Sequence, residues 1–511
     1  MVNTYVMGID VGTEGSRAGI FSLDGKAIAF ASSKHELLFP KGDWVEQHPE
    51  TWWKSASEAS REAVAKSGLK PEQIIGLSAS GTGTTVVAAK KDGTPLRNAI
   101  MWMDVRASEQ ANRIAETGNE VLKLSGGNAS AEWLFSKSQW IAENEPEIFA
   151  EADIICECVD WLGHKMTGNW VGSLSLAAVR GYYRYSEGGW PVELIEQLGH
   201  SAVLDKLVPK LAGVGESLGE LTSAAAAELG LSAGIPVAAS LVDAEVAMFG
   251  MNVTRPGQTC LITGSSHLLL GVSDKPVHGP GMWGAYEKGV TPENYLVEGG
   301  QASTGSITKW LKNFANGSYF GNEIDDDVVY AKLVAEAAKL PIGSDGVRVL
   351  DFWQGNRTPY IDPKARGMIW GLSVSSTPHH IFRAMLEGIS FGTENILQAF
   401  KSNGYVPNEL VIAGGATRNP LWLQIHSDVA QIPLVVPEVT DAVVLGNAIL
   451  AALVAGCFPD IYAAADAMTR NKDRIEPNPD VAEEYAYLFD QYKRSYLAMR
   501  DLMHEEKRVR A

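Results

Sequence analysis

Cysteine is scarce in this 511-residue chain. Cys156, Cys158, Cys260 and Cys457 are the only four, too few for a disulfide framework at this length. Cys156-Glu-Cys158 sits in the apolar run Ile154–Val159, and no second Cys or His pair stands at zinc spacing. Basic residues are outnumbered, 43 Lys and Arg against 61 Asp and Glu, for a net charge of −18. That balance argues against a nucleic-acid partner, which needs concentrated positive charge. A single nucleotide remains compatible, since backbone amides, helix N-termini and a metal can hold its phosphates. No apolar run reaches membrane-spanning length, and the N-terminus enters a strand with no charged stretch and cleavage site before it, so a cytoplasmic protein with no membrane partner is expected. Low-complexity segments and short-period repeats are absent. Two common nucleotide motifs are missing as well. Gly25-Lys26 is followed by Ala27 and lacks the spaced glycine of a P-loop. Gly213-Val-Gly215-Glu-Ser-Leu-Gly219 has one residue too many for a dinucleotide fingerprint and follows no clean strand.

What is present is a strand–turn–strand unit at each half of the chain. Tyr5 to Val11 is an apolar strand with Asp10 at its tip. Gly12-Thr13-Glu14-Gly15-Ser16 turns the chain, Arg17–Phe21 returns, Asp24-Gly25 turns again and Ala27–Ala31 is a third strand. An acid beside a turn of small residues suits a phosphate, approached by backbone amides, and a Mg²⁺ that keeps several waters. An ordinary hairpin with Asp in its turn is the alternative. The second unit is Gln258–Thr263, the turn Gly264-Ser265-Ser266, and His267–Gly271. Two such units imply two similar domains facing one nucleotide, and the length accommodates two full cores.

Between the units, strands and helices alternate in the α/β manner. After Gly42-Asp-Trp-Val-Glu-Gln-His-Pro49 a helix is expected over Glu50–Ser67, then a buried strand over Ile74–Ala79, with Ser80-Gly81-Thr82-Gly83 leading to a returning strand over Thr84–Ala89. Further strands are expected at Ala99–Arg106, Asp153–Asp160, Ile235–Val242, Val411–Gly415 and Ile432–Val436. Helices are expected across 107–150, from Asp243, over Pro420–Ala430 and Gly446–Ala455, and over the charged stretch 480–507.

The chemistry this pattern suits is phosphoryl transfer, which needs phosphates held in place, a hydroxyl in line, and a carboxylate to accept its proton. Asp10 fits the metal side and Asp243 the base. A plain helix N-cap is the other reading of Asp243.

The chain resembles the FGGY carbohydrate kinases of the sugar kinase–actin–Hsp70 superfamily from about residue 5 to 455. Gly367-Met-Ile-Trp-Gly371-Leu372, followed by His380-Ile-Phe-Arg-Ala384-Met-Leu-Glu387, fits their C-terminal signature. Asp10-Val-Gly12-Thr13 with Ser16-Arg17 resembles the first phosphate motif, Gly264-Ser265-Ser266 the second, and Gly414-Gly415-Ala416-Thr-Arg-Asn419 the adenosine motif, with Asp441 and Gly446 downstream. The resemblance implies two ribonuclease-H-like (actin-like ATPase) domains, 1–252 for sugar and 253–511 for nucleotide, with the catalytic cleft between them. It implies ATP and Mg²⁺ as cofactors, Asp10 orienting the metal through water, and Asp243 as base. Thr13, Gly264, Ser265, Gly305, Gly415 and Asn419 would meet the nucleotide, although Gly414-Gly415 reads equally as a tight turn and Gly305 as a helix-packing site. Thr82, Trp102, Asp104, Arg106 and Asp243 would border the sugar, although Trp102-x-Asp104-x-Arg106 also reads as a core Trp with an Asp–Arg pair at a helix start. A small sugar or polyol is the implied partner, with room for a homodimer.

Departures narrow the substrate. Thr82 and Gly83 stand where glycerol kinases keep an Arg-Glu pair, and Ser80-Gly81-Thr82-Gly83 replaces the Gln-Met-His-Gly of xylulokinases. Glu132 and Trp133 depart from the N-terminal signature and are candidate contacts to a particular ketose or polyol. Asp351–Pro359 and Gly281-Met-Trp-Gly284 resemble ribulokinase-type members. The expected reaction is phosphorylation of a terminal hydroxyl of a pentulose such as ribulose, with xylulose, erythritol and glycerol as alternatives. An actin- or Hsp70-like ATP-binding protein is the rival from another class, and a silent sugar sensor a second.

Overall fold

The computed structural model describes residues 4–321, 325–439 and 441–505. Tyr5–Val11 lies near the middle of a six-stranded sheet. It pairs antiparallel with Gly15–Ser22, Asp10 opposite Arg17, and parallel with Ile74–Gly81, Asp10 opposite Ser80. Ala27–Lys34 extends one edge, and Pro236–Ala238 and Ser217–Glu220 the other. The second sheet has seven strands and repeats this plan. Gln258–Thr263 pairs antiparallel with His267–Ser273 and parallel with Glu409–Gly414. The two units read from the sequence are therefore the two sheet centres.

Each face of the first sheet is covered by a helix. Pro49–Ser67 packs on one side. On the other lies Ala442–Val454, a helix from the C-terminal half of the chain. Its residues are apolar nearly all round, as suits a helix buried between layers. Glycines let it approach. A Cβ on Gly8 would overlap the Val444 carbonyl, and one on Gly76 the Ala451 carbonyl. The same helix crosses Asp243–Gly250 at two backbone contacts, Gly446 on the Val246 carbonyl and Gly250 on the Ala442 carbonyl. Val6, Val246, Val444 and Ala448 share one hydrophobic cluster as a result.

Several local expectations change. Val86–Ala89 does not return along Ile74–Gly81. It joins a separate four-stranded sheet with Glu46–Gln47, Ala99–Ile100 and Ile154–Glu157. The chain is drawn that way by Thr84, whose hydroxyl donates to the Glu132 carbonyl (2.5 Å) and whose carbonyl accepts from buried Lys137 (2.5 Å). The strand expected over Ala99–Arg106 stops at Ile100, because Asp104 takes the Val45 and Arg106 amides and makes a turn. The strand expected over Asp153–Asp160 ends at Glu157, where the Asp160 carboxylate reaches back to accept from the Glu157 amide (3.3 Å) at the start of the helix Cys158–Thr167. The last helix is Ala482–Glu505; of the expected 480–507 span, residues 480 and 481 fall in the short 3-10 turn Pro479–Val481, and residues 506 and 507 lie outside the described residues. Among the described residues no helix is long and apolar enough to cross a membrane.

Candidate active site

Asp10 is wholly buried at the end of its strand. One oxygen accepts from Ser80 Oγ at 3.1 Å and the other pairs with Arg17. Arg17 also reaches Asp441 at 2.5 Å, and Asp441 caps the Ala442–Val454 helix through the Val443 and Val444 amides, both at 3.1 Å. One guanidinium thus ties the first hairpin to the helix contributed by the C-terminal half. Burial raises the Asp10 carboxyl above its usual range, opposed by Arg17 and assisted by Asp441.

Asp243 opens the helix Asp243–Gly250, yet it does not cap it. Val242 holds the cap position, and the Asp243 carboxylate takes only the adjacent Ala244 amide, at 2.7 Å. The N-cap reading of this residue therefore does not hold. Burial, then the charge of Asp10, pushes the Asp243 carboxyl up to about 7, while Arg17 and Arg180 pull it down. The two acids read from the sequence lie close enough to feel each other's charge.

Two loops of small residues complete the site. In the first, the Thr13 hydroxyl accepts from the Trp102 indole at 3.0 Å. In the second, Gly264–Ser266 is exposed, and the first amides of the Gly305–Ser318 helix hold its carbonyls. Gly305 N donates to Gly264 O at 3.1 Å, and Thr304 N to Ser265 O at 2.9 Å. Gly305 is required because a Cβ would overlap the Gly264 carbonyl. Beside this loop opens a cavity of about 420 Å³ lined by Gly264, Gly305, Lys309, Tyr330, Gly415 and Trp422, among others. A Cβ on Gly414 would collide with the Thr263 carbonyl, whereas one on Gly415 would meet nothing within 4 Å. Gly414 makes the turn, and Gly415 presents bare backbone to the cavity. Asn419 is buried behind that wall. It caps the next helix at Trp422 N (3.2 Å) and donates to Tyr330 OH (3.3 Å).

On the other side of the acids, Thr82 is buried and bonded to Thr85 (2.8 Å), and Trp102 is half-buried. Asp104 and Arg106 are turned inward. Asp104 is held by Val45 N (2.6 Å) and by the Arg106 guanidinium, which also binds Glu46 (2.8 Å) and lies 3.9 Å over Trp44. Their polar groups are taken by each other, so they brace the wall that carries Trp102. Sequence reasoning missed a second buried charge cluster. Arg180 pairs with Glu298 at 2.7 Å and lies 3.8 Å from Glu245, and Arg357 approaches Glu298 at 3.5 Å. Burial raises Glu245 to about 7, and its oxygens meet no donor among the described residues. The only hint was its place two residues after Asp243.

Among the described residues no three His, Cys, Asp or Glu side chains gather to hold a metal by themselves. The hard oxygens of Asp10 and Asp243, whose charges repel, suit a divalent cation that keeps its own waters.

The doubled sheet plan, with acids at the seam and an open cavity in the second half, defines a two-domain phosphotransferase of the actin-like ATPase fold. Residues 5–250 match the N-terminal domain of the FGGY family of carbohydrate kinases, and residues 260–455 match its C-terminal domain. The chain belongs to that family and is an ATP-using carbohydrate kinase. It is 33% identical to a ribulokinase of Bacillus licheniformis, over 89% of this chain and 87% of that one. It is 33% identical to a ribulokinase of Mycolicibacterium smegmatis, over 96% and 92%. The crystal structure of a xylulose kinase from Rhodospirillum rubrum superposes with a TM-score of 0.87 at 26% identity, covering 98% of this chain and all of that one.

Proposed function

We propose that this kinase transfers the γ-phosphoryl group of Mg-ATP to a terminal hydroxyl of a pentulose, ribulose by preference, and that it works in the cytoplasm. The observation that carries the mechanism is Asp243: a carboxylate at a helix start that takes only the Ala244 amide, raised to about 7, and set against Asp10 and Arg17. Asp243 accepts the hydroxyl proton as the new P–O bond forms. Asp10, with Asp243 nearby, would hold Mg²⁺ through water, and the ion would supply charge neutralisation at the phosphates. Thr13, Gly264 and Ser265 present backbone and hydroxyl groups to the phosphates. Gly305 seats the second loop. Gly415 lets the adenosine lie against bare backbone, and Asn419 holds Tyr330 in the cavity wall. The sugar lies between Thr82, Trp102 and Asp243, with Asp104 and Arg106 bracing the wall behind. The two ribulokinase relatives support the choice of sugar, and a coupled ADP-release assay over pentuloses, pentitols, tetritols and glycerol tests it. Ribulose should give the highest kcat/KM. Another panel member ahead by about tenfold, near 1.4 kcal/mol in the transition state, would displace it.

The pH profile follows from the same carboxyl. Burial disfavours its charged form, so the base exists in quantity only above about pH 7. kcat/KM should rise about tenfold per pH unit up to about 7 and level off above it. A limb lying wholly below pH 5 would show that Asp243 does not titrate as the free base.

Gly415→Val gives a selective effect. The new Cβ meets nothing within 4 Å, and Gly415 lines the 420 Å³ cavity that the valine methyls would narrow. KM for ATP should rise by about tenfold, a loss of about 1.4 kcal/mol in binding. The melting temperature and the KM for sugar should stay unchanged.

A further inference from the structure

Three successive carbonyls of the first phosphate loop are pulled to one side. The Gly12 carbonyl accepts from the His35 ring at Nε2 (2.9 Å), the Thr13 carbonyl from the Gln47 side chain at Nε2 (2.8 Å), and the Glu14 carbonyl from the His35 backbone amide (3.2 Å). Both side chains are oriented from behind. His35 Nδ1 lies 2.9 Å from Ser55 Oγ, which lies 2.7 Å from Ser16 Oγ. Gln47 is wholly buried, and its oxygen accepts from the Trp52 indole at 2.8 Å, so its NH₂ must face the loop. A carbonyl can only accept, so His35 carries its hydrogen on Nε2 and is left to accept at Nδ1. Burial lowers the His35 pKa below the ordinary imidazole value and favours that neutral form.

The consequence lies in the peptide planes. Both peptides are trans, and in a trans peptide the N–H points opposite to the C=O. With the Gly12 and Thr13 carbonyls drawn back toward His35 and Gln47, the Thr13 and Glu14 amides face away from them. Among the described residues neither amide meets a backbone acceptor. Two adjacent free N–H groups on one side of a turn form an anion-binding concavity.

We propose that His35 and Gln47 are positioning residues for phosphoryl transfer, holding the Thr13 and Glu14 amides toward the transferring phosphate. This rests on the kinase reading above. Fixed donors act mainly where charge builds up, so their loss should lower kcat more than it weakens binding of the rest of the nucleotide.

The test uses the full chain. His35→Ala should lower kcat by at least about tenfold, while ADP affinity by calorimetry and the KM for sugar stay within about twofold. His35→Gln, whose amide can donate to the Gly12 carbonyl in place of Nε2, should recover kcat to within about threefold. If the alanine variant melts below assay temperature, His35→Phe keeps the ring volume, loses both nitrogens and takes its place. A folded Ala or Phe variant with wild-type kcat would overturn the proposal. So would a Gln variant as slow as Ala, which would mark His35 as packing alone. Failure of the wild-type protein to release ADP in response to any sugar would instead overturn the kinase reading itself.

Discussion

Asp243→Asn should lower kcat by at least about 10²-fold, the usual cost of losing a general base, with nucleotide affinity near that of the wild type. The substitution is close to isosteric. The side-chain oxygen of Asn can still accept from the Ala244 amide at the helix start, so the backbone has no reason to move. What disappears is the acceptor for the sugar proton. One negative charge also leaves the neighbourhood of Asp10, whose carboxyl is raised by burial, and of Arg17, which Asp243 helps to keep protonated. Removing a like charge beside bound phosphates favours them slightly, so ATP should bind as well or a little better. The pH profile separates loss of the base from general damage. The limb near pH 7 should vanish, and the residual rate should be flat from about pH 6 to 8. Steady-state ADP release and calorimetry with a non-hydrolysable ATP analogue read both halves. A variant with kcat within about threefold of wild type would remove Asp243 from the reaction.

The parts of this site legible in the sequence are those carried by local pattern. Asp10 with Gly12 to Ser16, and Gly264 to Ser266, stand out because a buried strand ending on small residues is a short-range signal, and the two hairpins follow from it. The adenosine-side Gly414-Gly415 is visible for the same reason, although only the backbone shows that Gly414 turns the chain and Gly415 faces the cavity. Pairings between distant residues leave no such trace. Arg180 and Glu298 are 118 residues apart. Arg17 and Asp441 are 424 apart. The inward turn of Asp104 and Arg106 depends on Glu46 and Trp44 lying above them, which the Trp-x-Asp-x-Arg spacing does not reveal. His35 and Gln47 look like any polar residues near a strand end and a helix start until the carbonyls they hold are seen. The apolar character of Ala442–Val454 announces a buried helix. That it crosses back onto the first sheet is a matter of topology, and no periodicity records it.

That crossing leads to the second large effect. Gly446→Ala should destabilise the protein and lower kcat by about ten- to a hundredfold while leaving nucleotide affinity largely intact. The new methyl would overlap the Val246 carbonyl and lie 2.8 Å from Val246 Cγ1. Backbone cannot swing aside as a flexible side chain can, so the two helices must separate. Helix propensity alone favours alanine over glycine by about 1 kcal/mol. Overpacking of a tight contact costs about 1–3 kcal/mol, so the clash wins. The catalytic cost follows from what each helix carries. One begins at Asp243, three residues before Val246, and the other is capped by Asp441, which Arg17 joins to Asp10. Prying them apart shifts the base relative to Asp10 and the phosphate loop, and a misplacement of about 1 Å is enough to cost about 10²-fold. The cavity lined by Gly415 and Tyr330 lies on the second sheet, away from the crossing, and should keep its affinity for nucleotide. Thermal melts, kcat and analogue binding measured on the same preparation distinguish these effects. Unchanged kcat in a destabilised variant would show that the crossing holds the fold together without setting the geometry of the two acids.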